Sequence, residues 1–407
     1  MSFAIAIAGL AFLILIHEAG HFFVARAVRM RPRRFYLFFP PALWKTTRNG
    51  IEYGIGAIPL GGYVKIPGMH RPAARDLTAH LDAAVDEAPG LARPVELAAA
   101  ALDAERFDEA RAALADLRAA VARQSLSEPA ERRAEKGITE IEDALSSDAY
   151  WRAPVWKRVA VIFAGPGVNL VFAVALLAVV FALGVPVANT VESVNPGSPA
   201  QAAGLEPGDR ILEVNGNEIT PILTERIPAR ITGTEARDVA LVVERDGERV
   251  PLEPTRTELI EGAYRLGFVL RRTEESFGPL EASEYALRET WAITTATGSA
   301  LARLVTGSGR DEIASPVGIV QVSSESIGID YRLYLRLLAI ISLSLALLNL
   351  LPLLPLDGGH IVFSLAEGIR GRAIPQVAYE RASLIGIFLV LMLFALGLSN
   401  DIGRLSG

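Results

Sequence analysis

Four long apolar segments constrain the fold of this 407-residue chain more than any other feature. They lie at residues 3–28, 159–187, 334–356 and 376–398. Each reaches or approaches the roughly 20 residues that a helix needs to cross about 30 Å of hydrocarbon. Because every backbone polar group needs an internal partner in lipid, helices are the expected form of such segments. The sequence therefore predicts a polytopic α-helical membrane protein, with one transmembrane helix in each of the regions 1–30, 151–189, 334–362 and 363–407.

The basic residues beside these segments predict the orientation of the chain, because cytoplasmic loops carry an excess of Lys and Arg. Such residues follow the first segment, precede the second and separate the third from the fourth: Arg26, Arg29, Arg31, Arg33, Arg34, Lys45, Arg48, Arg152, Lys157, Arg158, Arg370 and Arg372. These flanks are expected in the cytoplasm. The amino terminus, residues 188–333 and the carboxyl end are expected outside. The first segment lacks a basic start and a small-residue cleavage site, so we expect a span there and not a signal peptide.

The composition excludes several kinds of partner and of active-site chemistry. A net charge of −6 argues against nucleic acid as a partner, and the lipid bilayer is the expected surrounding. The chain has no Cys, which excludes disulfides, thiol catalysis and thiolate metal sites. Any metal ion must therefore be held by Asp, Glu or one of five His residues.

Two different pieces lie between the first and second segments. Residues 31–70 are predicted to form a membrane-associated hairpin or loop, because β-forming residues alternate with Gly and Pro over 51–67. Residues 71–150 are rich in Ala, Asp and Glu, with apolar positions at helical spacing over 97–121. This insertion has 10 basic and 17 acidic residues. We expect a solvated cytoplasmic helical hairpin; a docking surface for a regulator is the alternative.

Residues 190–272 have the pattern of a small soluble α+β module. A short strand is followed by Asn-Pro-Gly-Ser-Pro-Ala at 195–200, a Gly-Asp turn at 208–209 and a hairpin signal, Asp-Gly, at 246–247. This series resembles a bacterial, circularly permuted PDZ domain. The resemblance implies that the module binds peptide carboxyl ends by strand addition; a β-rich spacer without a ligand is the alternative. Residues 273–333 add an amphipathic stretch, 280–304, which is expected along the outer membrane surface.

The strongest chemical signal is His17-Glu18-Ala19-Gly20-His21, within the first apolar segment. Positions four apart lie on one face of a helix. Two imidazoles there can share one Zn²⁺ at roughly 2.0–2.1 Å, while the Glu between them acts as general base toward a water on the ion. Ionisable side chains inside an apolar span are costly unless they are ligated or paired. The motif therefore predicts one Zn²⁺ ion, with His17 and His21 as ligands and Glu18 as the catalytic base.

A catalytic zinc site needs a third protein ligand and an open position. Pro352 and Pro355 interrupt the third segment, and irregular backbone at membrane depth is tolerated only where it lines a protein cavity. Asp357 follows this break, and two glycines after it permit a close backbone approach. We predict Asp357 as the third ligand; a helix-capping Asp is the alternative. His360 lies about one turn further on and is expected to be an interfacial polar residue or a neighbour of the ligands.

Together these motifs resemble the site-2 protease family, and more narrowly its bacterial branch that cleaves anti-sigma factors and remnant signal peptides. The resemblance rests on the His-Glu-x-x-His span, the outward PDZ-like module, a Gly-Pro-x-x-Asn element at 165–169 and an Asn-x-x-Pro-x-x-Pro-x-Asp-Gly run at 349–358. It covers nearly the whole chain except 71–150. One PDZ-like module is present where some members of the family carry two.

The resemblance implies a zinc metalloendopeptidase of the bacterial inner membrane that cuts single-span proteins within the bilayer, after their ectodomain has been trimmed. It also implies that Asn169 and Asn349 contact the substrate backbone or the developing oxyanion; interhelical hydrogen bonding is the alternative. Gly61 and Gly62 are expected to present a strand edge to an unwound substrate. The active site is expected toward the cytoplasm and the PDZ-like module outside.

Two rival interpretations follow from the same motifs. A non-enzymatic membrane scaffold would use the PDZ-like module to recruit partners and would hold a structural zinc ion, but such a site does not need Glu18 between its ligands. A membrane-bound protease for soluble misfolded chains would take a Glu ligand from a soluble helix, and no Glu in this chain has a matching context.

Overall fold

A computed structural model describes residues 1–219, 227, 231–260, 262–305 and 315–406. The chain divides into two units, which are described separately. The first unit contains Met1–Leu170, Gly309–Val322 and Ser342–Gly407, and the second contains Val171–Ser308 and Ser323–Ile341.

The elements follow one another in three groups. The first group is α1 (Ser2–Ala27), β1 (Arg34–Arg48), β2 (Ile51–Lys65), α2 (Ala74–Glu87), α3 (Ala92–Asp103), α4 (Phe107–Val121), α5 (Glu128–Leu145) and α6 (Val155–Leu183). The second is β3 (Val185–Val194), α7 (Pro199–Ala202), β4 (Arg210–Val214), β5 (Asn217–Glu218), β6 (Asp238–Val239), β7 (Leu241–Arg245), β8 (Glu248–Pro251), β9 (Thr255–Arg256), β10 (Glu258–Ile260), β11 (Ala263–Arg265) and β12 (Phe268–Glu275). The third is α8 (Pro279–Val305), α9 (Pro316–Ile329), α10 (Tyr331–Asn349), α11 (Asp357–Arg370) and α12 (Gln376–Ser406).

Among the described residues, four helices are long and apolar enough to cross a membrane: α1, α6, α10 and α12. This confirms the four predicted spans. The third differs in form, because its helix ends at Asn349 and a separate helix begins at Asp357. Pro352 and Pro355 have no N–H to continue a helical ladder, so the chain between them is irregular.

Strands β1 and β2 form an antiparallel sheet that the sequence pattern located only over its second half. Residues 34–37 pair with 52–55 on one side and with 62–65 on the other. No other described strand pairs with residues 62–65, which therefore form an edge. The far end of the hairpin exposes large apolar side chains: Phe39, Leu43, Trp44, Ile55 and Ile58. This distribution fits the predicted membrane association.

The acidic insertion forms four helices, α2 to α5, where a hairpin was predicted. The expected long helix over 97–121 is two helices, separated by a turn in which Glu105 has a φ of 53°. Sixteen buried residues, among them Leu81, Leu114 and Ile138, form a core within the insertion. Its two ends meet, because the N–H groups of Tyr150 and Trp151 donate to the carbonyls of Pro67 and Gly68 at 2.9 and 3.0 Å.

Helices α11 and α12 complete the first unit. Arg158 of α6 donates to Glu367 of α11 at 2.5 Å, with both side chains largely buried. Near the carboxyl end of α12, the carboxylate of Asp401 accepts hydrogen bonds from the N–H groups of Ser315 and Gly318 at 2.8 and 3.1 Å. Asp401 therefore caps the start of α9, where free N–H groups favour an anion.

The second unit contains the soluble module. Its main sheet has the order β12-β3-β4-β7-β8, with β5 beside β4, so β12 lies at an edge. The predicted Asp-Gly turn joins β7 to β8, and Asp246 and Gly247 both have positive φ. Val187 of β3 pairs with Thr273 of β12, so the module begins and ends at one point. Residues 220–226 and 228–230, also part of the predicted module, lie outside the described residues.

Helix α8 covers residues 280–304, for which the sequence predicted an amphipathic stretch. Its first turns pack against the second half of α6, where Ala282 and Ala286 join a buried cluster with Leu177 and Phe181. Further along, Leu287 and Trp291 are exposed. Glu289 pairs with Arg336 of α10 at 3.1 Å.

Candidate metal centre

Helix α1 presents His17 and His21 on one buried face. The helix comes close to α6 at this level because Gly20 has no side chain. A Cβ atom at Gly20 would lie 2.5 Å from the carbonyl oxygen of Ala164, which is too close for any other residue. The spacing of the motif and the small residue inside it thus set both imidazoles against α6.

Asp357 reaches the same place from the irregular segment after α10. The two glycines that follow it pack against backbone: a Cβ at Gly358 would lie 2.2 Å from Leu350 O, and one at Gly359 would lie 2.5 Å from Leu354 N. The tight turn into α11 therefore needs this Gly-Gly pair. Asp357 is the first residue of α11, and no side-chain cap hydrogen bond is formed there, which speaks against the capping alternative.

Three side-chain atoms converge on one point. Nε2 of His17 lies 3.3 Å from Nε2 of His21 and 3.2 Å from Oδ2 of Asp357, and Nε2 of His21 lies 3.4 Å from the same oxygen. Tetrahedral ligands at roughly 2.0–2.1 Å from a zinc ion are about 3.3 Å apart. The carboxylate oxygen is buried and accepts no hydrogen bond from the described residues. The donor set therefore fits Zn²⁺, and within the described part of the chain it is the only such group of three.

The other ring nitrogens have partners on α6. Nδ1 of His21 donates to the carbonyl of Val161 at 2.8 Å, which leaves the lone pair of Nε2 free to bind a metal ion. Nδ1 of His17 lies 3.5 Å from Nδ2 of Asn169. Asn169 is fully buried, and its Oδ1 has no hydrogen-bond partner among the described atoms. Asn169 is thus held beside a histidine in this structure, with no exposed surface for a substrate.

Gly165 is a site residue to which sequence reasoning gave no role. A Cβ atom there would lie 2.3 Å from Nε2 of His21 and 2.9 Å from Cε1 of His17. Because glycine has only a hydrogen in place of a side chain, it leaves room for the donor atoms of both histidines. The only signal in the sequence is a Gly-Pro pair inside a long apolar helix.

Glu18 lies beside the edge of the β1–β2 sheet. A Cβ atom at Gly62 would be 2.7 Å from Cγ of Glu18, so the strand passes directly against this side chain. A Cβ atom at Gly61 would instead meet the ring of Phe39, 3.0 Å from its Cε2 atom. The structure therefore brings Gly62 to Glu18 and places Gly61 one residue away.

The remaining candidates lie at the ends of helices. Nδ2 of Asn349, at the end of α10, donates to the carbonyl of Leu345 at 2.9 Å. Its amide is therefore engaged within its own helix. His360 is half-buried in the first turn of α11, three residues after Asp357.

Two histidine nitrogens and a carboxylate oxygen at one point, with a glutamate between the histidines on a membrane-length helix, are the arrangement expected of a membrane-embedded metallopeptidase. The comparison with known families agrees: the chain belongs to peptidase family M50, the site-2 protease family, whose model matches residues 5–393.

Individual relatives agree over nearly the full length. A protein of Brucella suis named as a zinc metalloprotease is 32% identical, over 96% of this chain and 92% of the relative. Protease RseP of Yersinia pestis is 31% identical, over 99% of each chain. Regulator of sigma-E protease RseP of Escherichia coli is 28% identical, over 98% of each.

The chain is therefore a zinc metalloprotease of the site-2 type. Its four apolar helices and these relatives indicate an inner-membrane protein. The non-enzymatic scaffold is wrong as an interpretation, because the family is one of peptidases.

Proposed function

We propose that this protease hydrolyses peptide bonds within the transmembrane segments of single-span membrane proteins, after an earlier cut has trimmed their ectodomain. Anti-sigma factors and remnant signal peptides are substrates of this kind. The observation that carries the proposal is the position of His17, His21 and Glu18 on α1, a helix of membrane length with apolar residues on both sides of the motif, where Asp357 of α11 joins the two histidines. A bond held at that depth belongs to a membrane-embedded segment.

His17, His21 and Asp357 are the proposed ligands. The distances of 3.2–3.4 Å between their donor atoms support this assignment, as does the unpartnered oxygen of Asp357. When bound, Zn²⁺ would supply a Lewis acid that polarises the scissile carbonyl and lowers the pKa of water, so that a base can deprotonate the water for attack. The one negative charge of Asp357 leaves the centre cationic, which favours the developing oxyanion.

Glu18 is the proposed general base. It takes a proton from the attacking water as the C–O bond forms, and it later delivers that proton to the nitrogen that leaves as the C–N bond breaks. Its side chain is half-buried against Gly62. The bare backbone of Gly62 leaves room for an extended substrate beside this carboxylate.

Residues 62–65 are the proposed docking edge for the substrate. A peptide bond in a helix is covered by its own hydrogen bonds and must be extended before hydrolysis. An edge strand next to Glu18 can accept such an extended segment through backbone hydrogen bonds. Asn349 remains the proposed side-chain donor to the oxyanion through the second hydrogen of its amide, because one hydrogen is bonded to Leu345 and the residue lies at the end of α10, just before the segment that leads to Asp357.

For Asn169 the geometry supports a different role from the one that the family resemblance implies. A neutral His17 that offers Nε2 to a metal ion carries its proton on Nδ1 and needs an acceptor there. The amide of Asn169 is the group beside Nδ1, and turning it by 180° would place its unpartnered oxygen at that nitrogen. We therefore assign Asn169 as a positioning residue for His17.

The proposed orientation places the metal centre toward the cytoplasm and the soluble module outside. It rests on the excess of basic residues near the end of α1, the start of α6 and the α11–α12 connection. In this orientation the acidic insertion is cytoplasmic, and the soluble module controls access of substrates from the outer side.

The substitution Glu18→Gln tests the proposal. It keeps the volume of the side chain and both flanking imidazoles but removes the base. We expect the purified variant to contain as much zinc as the parent and to cleave a single-span model substrate at least about 100-fold more slowly. Glu96→Gln, on the exposed side of α3, is the matched control. Cleavage by Glu18→Gln at the parental rate would show that the mechanism is wrong.

A further inference from the structure

An open cavity of about 690 Å³ lies at the end of α1, away from the metal centre. Its lining is mostly cationic and polar: Arg26, Arg29, Met30, Arg31, Ser147 and Asp148. An adjoining cavity of about 440 Å³ shares two of these arginines and extends toward the turn between β1 and β2. The protease chemistry described above uses none of these residues.

The three arginines are exposed, and none of them forms an ion pair within the described part of the chain. Their neighbour Arg33 behaves differently, because it pairs with Asp143 at 2.7 Å and with Asp148 at 3.1 Å. Unpaired positive charge is therefore concentrated around the cavity, although the surrounding insertion is acidic.

Asp148 is the one carboxylate in the lining, and it is already engaged. Its Oδ2 accepts from the backbone N–H of Arg31 at 3.2 Å and from Arg33 at 3.1 Å. Partial burial acts to raise the pKa of Asp148, but its hydrogen bonds to Arg33 and Ser146 outweigh this effect and hold the pKa below the ordinary value. Asp148 is thus charged and balanced by Arg33, so the cavity itself has the charge of the three unpaired arginines.

The cavity lies at the level where a membrane surface is expected. Arg26 is in the last turn of α1, and that helix ends at Ala27. The start of α6 is adjacent, because Nζ of Lys157 donates to the carbonyl of Val28 at 3.3 Å. Close by, Phe23 and Trp156 are 64% and 63% exposed, as expected of side chains that contact acyl chains and the interface.

We propose that this cavity binds the phosphate of an anionic phospholipid headgroup. Guanidinium groups present paired N–H donors that match phosphate oxygens, and unpaired juxtamembrane arginines attract anionic lipids. The hydroxyl of Ser147 is a further donor in the lining. The bound lipid would lie between the end of α1 and residues 147–148, which join the insertion to α6. It would thus hold the insertion against the membrane.

The test is lipid binding by the full-length protein in detergent, measured by native mass spectrometry. Phosphatidylglycerol is titrated against phosphatidylcholine, and inorganic phosphate is added as a competitor. The test variant carries Arg26→Gln, Arg29→Gln and Arg31→Gln. The control carries Arg93→Gln, Arg123→Gln and Arg133→Gln, which remove the same charge from exposed positions of the insertion.

We expect phosphatidylglycerol to bind the parent and the control alike, and to bind the triple cavity variant at least about tenfold more weakly. Each single Arg→Gln variant should show a smaller loss in the same direction, which covers the case in which the triple variant does not fold. Equal binding to the cavity variant would overturn the proposal. Equal binding of phosphatidylcholine, or displacement of the lipid by inorganic phosphate at matched concentration, would overturn it as well.

Discussion

Gly165 provides the space in which the side-chain nitrogens of His17 and His21, the proposed metal ligands, meet. A methyl group at this position would lie 2.3 Å from Nε2 of His21, in the space where the donor atoms of the candidate metal centre meet. Two positions along the same helix, a methyl group at Gly167 would meet only the ring of Phe163, at 3.2 Å or more. A side chain is therefore excluded at Gly165 but can be accommodated at Gly167, although both lie on the same helix.

We predict that Gly165→Ala loses bound zinc and proteolysis together, whereas Gly167→Ala retains both. Alanine is the better helix former by roughly 1 kcal/mol, so helix propensity predicts that neither substitution weakens α6. Metal analysis and thermal unfolding of the purified variants provide the measurement. Full zinc occupancy in Gly165→Ala would contradict the close approach of α6 to the ligands.

Two hypotheses for the role of Asn169 make different predictions about metal binding. As the acceptor for Nδ1–H of His17, it acts on the metal ion through its neighbour; as a substrate contact, it would leave metal binding unchanged. We predict that Asn169→Leu lowers zinc affinity about 10- to 100-fold, as loss of a hydrogen bond to a metal ligand does. Asn169→Asp, which still offers an acceptor oxygen, should preserve it.

The measurement is competition for zinc with a chelator of known affinity, made on protein without substrate. A parental zinc affinity in Asn169→Leu, together with slow cleavage, would return Asn169 to the substrate-binding role. Loss of zinc in Asn169→Leu and retention in Asn169→Asp would establish its action through His17.

Residue identity alone was enough to predict which side chains meet at the centre. Helical spacing joins His17 and His21, and the proline-containing break after the third span marks Asp357. The sequence could not reveal what faces them from α6, because that depends on the register between two helices far apart in the chain. The roles of Gly165 and Asn169 came from this register, through distances of 2.9 and 3.5 Å to His17.

At the scale of elements, local patterns predicted the membrane helices well and the small elements less well. A hairpin or loop was predicted over 31–70, but the β-forming pattern was recognised only over 51–67, so the bounds of the strand at 34–48 came from its pairing with β2. The insertion was expected as a hairpin, because the turn at Glu105 lacks Gly and Pro and so resembles continuing helix. Periodicity reports which face is apolar, but not how many helices share that face.

A network of charges contributes to the contact between the insertion and the chain just before β1. Arg33 donates to Asp143, near the end of α5, and to Asp148, just after it. Because the pKa of Asp148 is held below its ordinary value, its carboxylate stabilises the folded contact at any pH above the ordinary value of about 3.9. That stability is lost as the pH falls through the lower pKa of the folded state.

We therefore predict that hydrogen exchange in residues 128–150 accelerates when the pH falls below about 4, after correction for the intrinsic exchange rate. In Arg33→Met the carboxylate has lost its main partner, so exchange should already be faster at neutral pH and should change less on acidification. The same acid dependence in parent and variant would show that Arg33 and Asp148 do not control this contact.

At the scale of the whole molecule, the soluble module contributes no residue to the proposed metal centre. We propose that it limits access by excluding bulky ectodomains, and that it is not needed for hydrolysis itself. The pairing of Val187 with Thr273 suggests a clean deletion, because residues 188–272 can be replaced by a two-residue Asn-Gly turn between the paired strands.

We predict that the deleted enzyme cleaves substrates that still carry their outer domain and cleaves trimmed substrates at the parental rate. The comparison uses long and short versions of one substrate with the parent and the deleted enzyme. Loss of cleavage of the short version alone would mean that the module binds the newly exposed carboxyl end, and the size-exclusion role would then be wrong.

Both added parts of this chain are closed at their base. The insertion starts and finishes at the backbone pairs that join Pro67 and Gly68 to Tyr150 and Trp151, and the soluble module starts and finishes where β3 meets β12. The entropic cost of closing a loop at such a base grows only slowly with the length of the loop, so a change in the length of either part costs little free energy. Each part can therefore be exchanged, enlarged or lost by recombination as a cassette. Such an exchange would leave His17, Glu18, His21 and Asp357 unchanged, because none of them lies in either part.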